Sequence, residues 1–287
     1  MKREHKEMMK ARARNIALRV AYDGTAYAGF QRQTPPVIAV QNVLEEKLAR
    51  IFGDSIELAA AGRTDAGVHA YGQVVNFFTD GTIPVTRIAR AANSLLPPDI
   101  AVKEAWEADR DFSARHSARS KTYLYRIAQG ETPDPLCARY AWYIRRPLDV
   151  PAMQDALARI LGTHDFSAFR AAGGAPMSPV RTMYEAVIDE ERPGLLACRI
   201  HGSRLLYHMV RNLIGTVVNV GLGVLRPGDM DRILASRDRA QASATAPAHG
   251  LYLLHVAYGD DSEKDFEKNL EKTVDTAADT GYNTSCR

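Results

Sequence analysis

One carboxylate in this chain sits where an isolated acid can do chemistry. The run Ala61-Gly62-Arg63-Thr64-Asp65-Ala66-Gly67-Val68-His69-Ala70 places Asp65 between two glycines, with an arginine two residues before it. Gly62 and Gly67 allow backbone angles closed to other residues, so the loop can turn sharply and come close to a ligand. A lone Asp on such a loop suits nucleophilic or acid–base work. The plain alternative is turn chemistry, in which the carboxylate bonds a nearby backbone N–H. His69, His164, His201 and His208 have no metal-ligand spacing, and Cys137, Cys198 and Cys286 form no CxxC pair. That pattern speaks against zinc and reads as free thiols in a reducing compartment.

The surrounding residues must hold this loop. Ile56 and Leu58 alternate with polar neighbours on the way in, and Val68 to Phe78 is rich in β-branched and aromatic residues on the way out, so both flanks read as strands. Ile16, Leu18 and Val20 alternate as a strand, as do Leu254, Val256 and Tyr258. Val40, Leu44, Leu48, Ile51 and Phe52 recur at helical spacing after Pro35-Pro36. Val150, Met153, Leu157, Ile160 and Leu161 predict a second helix, and Met209, Leu213 and Val217 a third that ends near Gly221 and Gly223. On a strand through Tyr123, Tyr125 and Ile127, Leu124 and Arg126 take the other face. Asp111-Phe112-Ser113-Ala114 recurs as Asp165-Phe166-Ser167-Ala168, which fits a two-lobed α+β protein with related halves.

With 287 residues, 46% of them hydrophobic, the chain can bury a sizeable core as one large domain or two small ones. No apolar run approaches the roughly 20 residues of a membrane span. The charged start, Met1 to Arg14, lacks the apolar stretch of a signal peptide, and the expected location is the cytoplasm. The net charge of +3 hides an asymmetry: residues 259–287 carry eight acids against four bases, which leaves a body more basic than the average. Such a body can bind a polyanion. The boundaries expected are a basic extension over 1–14, an N-terminal lobe over 15–112, a C-terminal lobe over 113–258 and an acidic tail over 259–287.

Several segments resemble one family in the same order. The Asp65 decapeptide is similar to the active-site loop of the tRNA pseudouridine synthase A family. The run from Tyr22 to Gln33 (YDGTAYAGFQRQ) resembles that family's opening segment and Gln41-Asn42-Val43-Leu44-Glu45 its first helix. Ser117 to Arg126 (SARSKTYLYR), His208-Met209-Val210-Arg211-Asn212 and Gly250-Leu251-Tyr252-Leu253 resemble later motifs, so the likeness runs from about residue 15 to 258. It implies two α+β lobes that share a mainly antiparallel sheet flanked by helices, with an RNA-binding cleft between them. It also implies a homodimer that isomerises uridine to pseudouridine at positions 38 to 40 of the tRNA anticodon stem-loop.

The resemblance assigns roles residue by residue. Asp65 is the nucleophile, attacking C1′ of the ribose or C6 of the base. Arg211 is its cationic partner, since a nearby cation favours an ionised carboxylate. Tyr123 lies against the target base and Leu251 lines an apolar pocket beside it. Arg63 intrudes into the RNA as the base leaves its stack. Arg110, Arg115, Arg119, Lys121, Arg126 and Arg170 are the expected contacts to RNA phosphates. The isomerisation has no net change in electrons, water or groups, so no cofactor or metal is expected. A fold that binds RNA but has lost catalysis is the alternative, and the intact Arg63, Asp65, Tyr123 and Arg211 argue against it.

Overall fold

The computed structural model describes residues 11–174 and 177–259. In chain order the elements are β1 (Arg14–Tyr22), α1 (Val40–Phe52), β2 (Ala59–Ala60), β3 (His69–Thr79), α2 (Val85–Asn93), β4 (Ile100–Ala108), β5 (Ala118–Gln129) and β6 (Trp142–Ile144). They continue with α3 (Val150–Ala158), β7 (Gly162–Asp165), β8 (Val180–Arg192), β9 (Leu195–Ser203), α4 (Met209–Gly221), α5 (Asp229–Ser236) and β10 (Leu251–Tyr258). The class is α+β. The chain divides into two compact units, residues 11–118 with 253–259, and residues 119–252.

In the first unit the strand order is β4-β1-β3-β10, with the short β2 on β3. β1 runs antiparallel to both β3 and β4. As a central strand it is buried almost throughout, and Ile16, Ala17, Leu18 and Val20 are fully enclosed. Helix α1 buries Val40, Leu44, Leu48 and Phe52, the stripe the spacing predicts, and stops at Gly53 in the left-handed region. Helix α2 packs on β4. The strand expected over Ile56 and Leu58 is shorter than predicted. The Leu58 N–H donates to Glu45 Oε1 (2.9 Å) and its carbonyl accepts from Gln41 Nε2 (3.3 Å). Both backbone groups of Leu58 are therefore taken by side chains of α1, and only Ala59 and Ala60 join the ladder on β3. Residues 11–14, part of the stretch read as an extension, are held here. Arg12 pairs with Asp54 at 2.6 Å and the Ala13 N–H donates to Asp80 Oδ1 at 2.8 Å.

In the second unit the order is β5-β9-β8-β7, every neighbouring pair antiparallel, with β6 parallel to β5. Tyr125 and Ile127 are fully buried on one face of β5, as the alternation predicts. Helix α3 is capped by Asp149, whose Oδ1 accepts the Ala152 N–H at 3.0 Å. The helix is shorter than its apolar spacing suggests. After Ala158 the bonds tighten to Ile160 N–H to Leu157 O and Leu161 N–H to Ala158 O, which turns Leu161 outward to 40% exposure. Helix α4 packs against α3 and is buried nearly all round. Cys198 is a free, buried thiol, and burial pushes its pKa up to about 12. Cys137 is buried, and its Sγ accepts from the Arg192 guanidinium at 3.1 Å. Cys286, residues 1–10 and the acidic tail beyond Gly259 lie outside the described residues. No helix among the described residues is long and apolar enough to cross a membrane.

Candidate functional site

The Asp65 loop is fixed from several sides. Gln73, fully buried on β3, grips the Gly62 peptide: its Nε2 donates to the Gly62 carbonyl at 2.8 Å and its Oε1 accepts the Gly62 N–H at 3.3 Å. The Thr64 hydroxyl meets the buried Tyr22 hydroxyl at 2.7 Å. Burial raises the Tyr22 pKa far above its ordinary value, so this group is neutral. The Thr64 carbonyl accepts the Phe30 N–H at 3.0 Å, and the Val68 N–H donates back to the Asp65 carbonyl at 3.1 Å. Gly67, at φ +77°, makes the turn that follows. His69 is buried, its Nδ1 accepting the Gly24 N–H at 3.1 Å and standing 3.1 Å from Asp23 Oδ1.

Those contacts give the opening segment, residues 22–30, a physical task. It lies backbone to backbone against the loop. A Cβ on Gly24 would stand 2.0 Å from the Val68 carbonyl oxygen, and one on Gly29 would stand 2.7 Å from that of Thr64. Only glycine permits so close an approach. Tyr27 anchors the segment by donating to Asp99 Oδ1 at 2.7 Å. The loop thereby presents Thr64 inward, Asp65 half-buried and Arg63 exposed.

Within the second unit Arg211 has a comparable setting on α4. His208, at φ 57° in the left-handed region, turns the chain into the helix. The Arg211 Nε donates to the Ala246 carbonyl at 2.7 Å, while the Ala246 N–H donates to the Arg211 carbonyl at 3.1 Å. Residues 239–246 form a strap along α4. Buried Asn212 Oδ1 accepts from Thr245 Oγ1 (2.6 Å) and Arg239 (3.0 Å), and its Nδ2 donates to the Phe169 carbonyl at 2.8 Å. A Cβ on Gly215 would stand 2.0 Å from the Ala244 carbonyl oxygen, which shows how tightly the strap lies. Tyr125 packs nearby, donating to the Pro247 carbonyl at 2.8 Å. Its pKa is raised by burial, against the opposing effect of the Arg211 guanidinium.

The remaining residues expected from sequence fall in different settings. Tyr123 is half-buried on β5 and Leu251 is buried at the start of β10. Arg115 and Arg119 are exposed, Lys121 is half-buried, and Arg110 donates to the carbonyls of Arg12 and Ala13. Arg170 donates to the Met177 carbonyl at 3.3 Å. Arg126 departs from the expected role. It is buried, paired with both carboxylate oxygens of Glu191 at 2.8 and 3.1 Å, and stacked 5.2 Å from the Tyr252 ring centroid. It is a structural ion pair, and a phosphate would have to displace Glu191 to reach it. Sequence reasoning also passed over Gln73 and Asn212. Each is a polar residue inside an apolar run, the signal that could have marked them. Among the described residues, no three His, Cys, Asp or Glu side chains cluster so as to hold a metal ion.

The chain matches a family model described as tRNA pseudouridine synthase over residues 18–117 and 156–259. The tRNA pseudouridine synthase A of Acetivibrio thermocellus is 42% identical over 245 residues, which cover 85% of this chain and 100% of that protein. Its counterpart from a Thermoanaerobacter species is 41% identical over the same coverage. The one from an Exiguobacterium species is 44% identical, over 85% of this chain and 98% of its own. The matched spans contain Arg63, Asp65, Arg211 and Leu251, together with Gly24, Gly29, Gln73 and Asn212, the residues that shape their surroundings. By that match, which takes in both units, the chain belongs to the tRNA pseudouridine synthase family.

Proposed function

We propose that this chain converts uridine to pseudouridine in the anticodon stem-loop of tRNA, at positions 38 to 40, with Asp65 as the nucleophile. The observation that carries the reading is the state of the loop: Asp65 is held half-buried on a backbone bonded at Gly62, Thr64 and Val68, inside the matched span. A nucleophile placed by a preformed loop meets its target without a further search in conformation. The carboxylate attacks C1′ or C6, the glycosidic bond to N1 breaks, the base turns, and C5 joins C1′. After attack at C1′ the bond to Asp65 breaks as C5 joins C1′, and after attack at C6 it breaks as the C5 proton leaves; in both routes the C5 proton is lost to solvent and N1 takes one up.

Arg211 favours the ionised form of Asp65, with its own Nε anchored on Ala246. Tyr123 gives the displaced uracil an aromatic surface, Leu251 an apolar wall, and Arg63 fills the space the base vacates. Arg110, Arg115, Arg119, Lys121 and Arg170 contact the RNA backbone. The acting form is a homodimer in the cytoplasm, with one N-terminal and one C-terminal lobe in each subunit.

The test is tritium release from tRNA transcript labelled at C5 of uridine, with the parent and with Asp65→Asn. Release by the parent, none by the variant and tRNA binding by both is the expected result. Release by Asp65→Asn at the parent rate would remove Asp65 from the mechanism. A parent that binds tRNA but releases nothing would point to an RNA-binding protein of the same fold.

A further inference from the structure

Residues 32–38 make an exposed turn just before α1, and its apolar tip is firmly held. Val37 is 46% and Ile38 57% exposed, and Pro35 and Pro36 before them are exposed as well. Asn42, in the first turn of α1, grips the base of the turn. Its Oδ1 accepts the Gln33 N–H at 3.0 Å and the Ala39 N–H at 3.3 Å, and its Nδ2 donates to the Gln33 carbonyl at 3.1 Å. Gln41 Oε1 accepts the Arg32 N–H at 3.0 Å, and the Val37 N–H closes on the Thr34 carbonyl at 3.2 Å. Arg32, the charged side chain of the turn, is engaged with Glu45 at 2.9 Å. A single exposed aliphatic residue is ordinary on a protein surface. Here four consecutive apolar residues are exposed on backbone whose freedom is already surrendered, and such a surface binds with little further ordering cost.

The tip adjoins the Asp65 loop. The Ala28 N–H donates to the Ile38 carbonyl at 3.0 Å, and Gly29, the next residue, lies backbone to backbone against Thr64, Asp65 and Ala66. The Gly67 N–H donates to the Tyr27 carbonyl at 3.4 Å. Ala28 and Ala66, which stand between Ile38 and Asp65 along these contacts, are exposed too. Two backbone spacings of about 4.8 Å put the tip on the order of 10 Å from the Asp65 loop, the depth of about three stacked bases. A uridine that leaves its stack bares the apolar face of the base beside it. Val37, Ile38, Ala28 and Ala66 offer that face methyl groups and no charge, the chemistry of the apolar wedges that proteins set against unstacked base steps.

We propose that Val37 and Ile38 form an apolar ledge that packs on the face of the base flanking the target uridine. The proposal rests on the tRNA reading of the Asp65 site and adds to it a contact with the nucleotide next to the reacting one. Asn42 is a positioning residue, since its amide fixes the turn that carries the ledge.

The experiment is a double-mutant cycle between protein and RNA. Tritium release is measured at C5 of one target uridine, in tRNA that is intact or that lacks the base on one side or the other of that uridine. The proteins are the parent chain, the double variant Val37→Ser with Ile38→Ser, and Val224→Ser as control, an aliphatic residue 63% exposed in the second unit. On intact tRNA the double variant is expected to lose roughly tenfold in kcat/KM, at unchanged melting temperature because both residues are exposed. Val224→Ser should match the parent. Removal of the contacted base is expected to slow the parent by a similar factor and to bring parent and double variant within about twofold of each other. A difference that persists in full on both base-less tRNAs would overturn the ledge, as would a double variant as fast as the parent on intact tRNA. A changed sedimentation coefficient of the double variant would assign the tip to an interface between copies of the chain and overturn it likewise. In each of these cases the parent still releases tritium and the function stands. If the parent releases none, the function falls and the ledge with it.

Discussion

Replacing Gly29 by alanine strikes the Asp65 loop without touching any residue assigned to the chemistry. Gly29 has φ +85°, where an L side chain costs about 1–2 kcal/mol. Its new Cβ would stand 2.7 Å from the Thr64 carbonyl oxygen and 3.2 Å from both the Ala66 nitrogen and the Asp65 carbonyl carbon. To restore ordinary contact at 3.4 Å, one backbone must retreat from the other by about 0.7 Å. The oxygen it strikes is the one that accepts the Phe30 N–H, so the hydrogen bond beside the loop is strained as well. Misplacement of a reacting group by about 1 Å costs on the order of a hundredfold in rate. A loss of tritium-release rate between roughly tenfold and a hundredfold follows, with the melting temperature lower by about 4–8 °C.

Gly53→Ala is the matched control. Gly53 also has positive φ, at +67°, but its Cβ would meet nothing within 4 Å. It should lose stability by about 1 kcal/mol, or roughly 2–4 °C, and keep its rate. Equal activity in the two variants at comparable loss of stability would refute the claim that residues 22–30 position Asp65.

Two further outcomes follow from the second unit. Glu191→Gln leaves the buried Arg126 without its counter-charge and should lower stability by about 1.5–3 kcal/mol in denaturant titration, with the salt slope of tRNA binding unchanged; a changed slope would return Arg126 to the RNA contacts. His201, bonded through Nε2 to Ser120 Oγ, packed on Tyr184 and flanked by the Glu185–Arg199 pair, has its pKa lowered by burial, with Glu185 opposing. The unfolded chain therefore binds the extra proton first, and stability should decline as pH falls below about 6.5. His201→Gln should flatten that decline in melts at stepped pH, and an unchanged pH profile would show that His201 does not contribute to it.

Much of this arrangement is legible in the sequence because it is local. The helix stripe of Val40, Leu44, Leu48 and Phe52, the alternation along β1 and β5, and the glycine-flanked Asp65 each depend on neighbours within a few residues. What escapes is set by residues far apart in sequence. Arg126 reads as an exposed cation because Glu191 is 65 positions away. Leu58 reads as a strand residue because nothing in its own segment reveals that α1 claims both its backbone groups. The same holds for the strap on α4: Ala246 and Arg211 exchange hydrogen bonds across 35 residues, and only the folded chain shows why Arg211 is held where it is.

The interlock of residues 22–30 with 61–69 bears on how relatives of this chain can diverge. Residues 64–68 occupy the space that a single added methyl at Gly24 or Gly29 would need. Neither can drift in length or path alone, so insertions should be excluded from both together, and substitutions at one should appear only with compensating changes at the other. Inherited as a pair, two stretches some forty positions apart behave as one evolutionary unit. The exposed surfaces around them remain free to adapt to different RNAs.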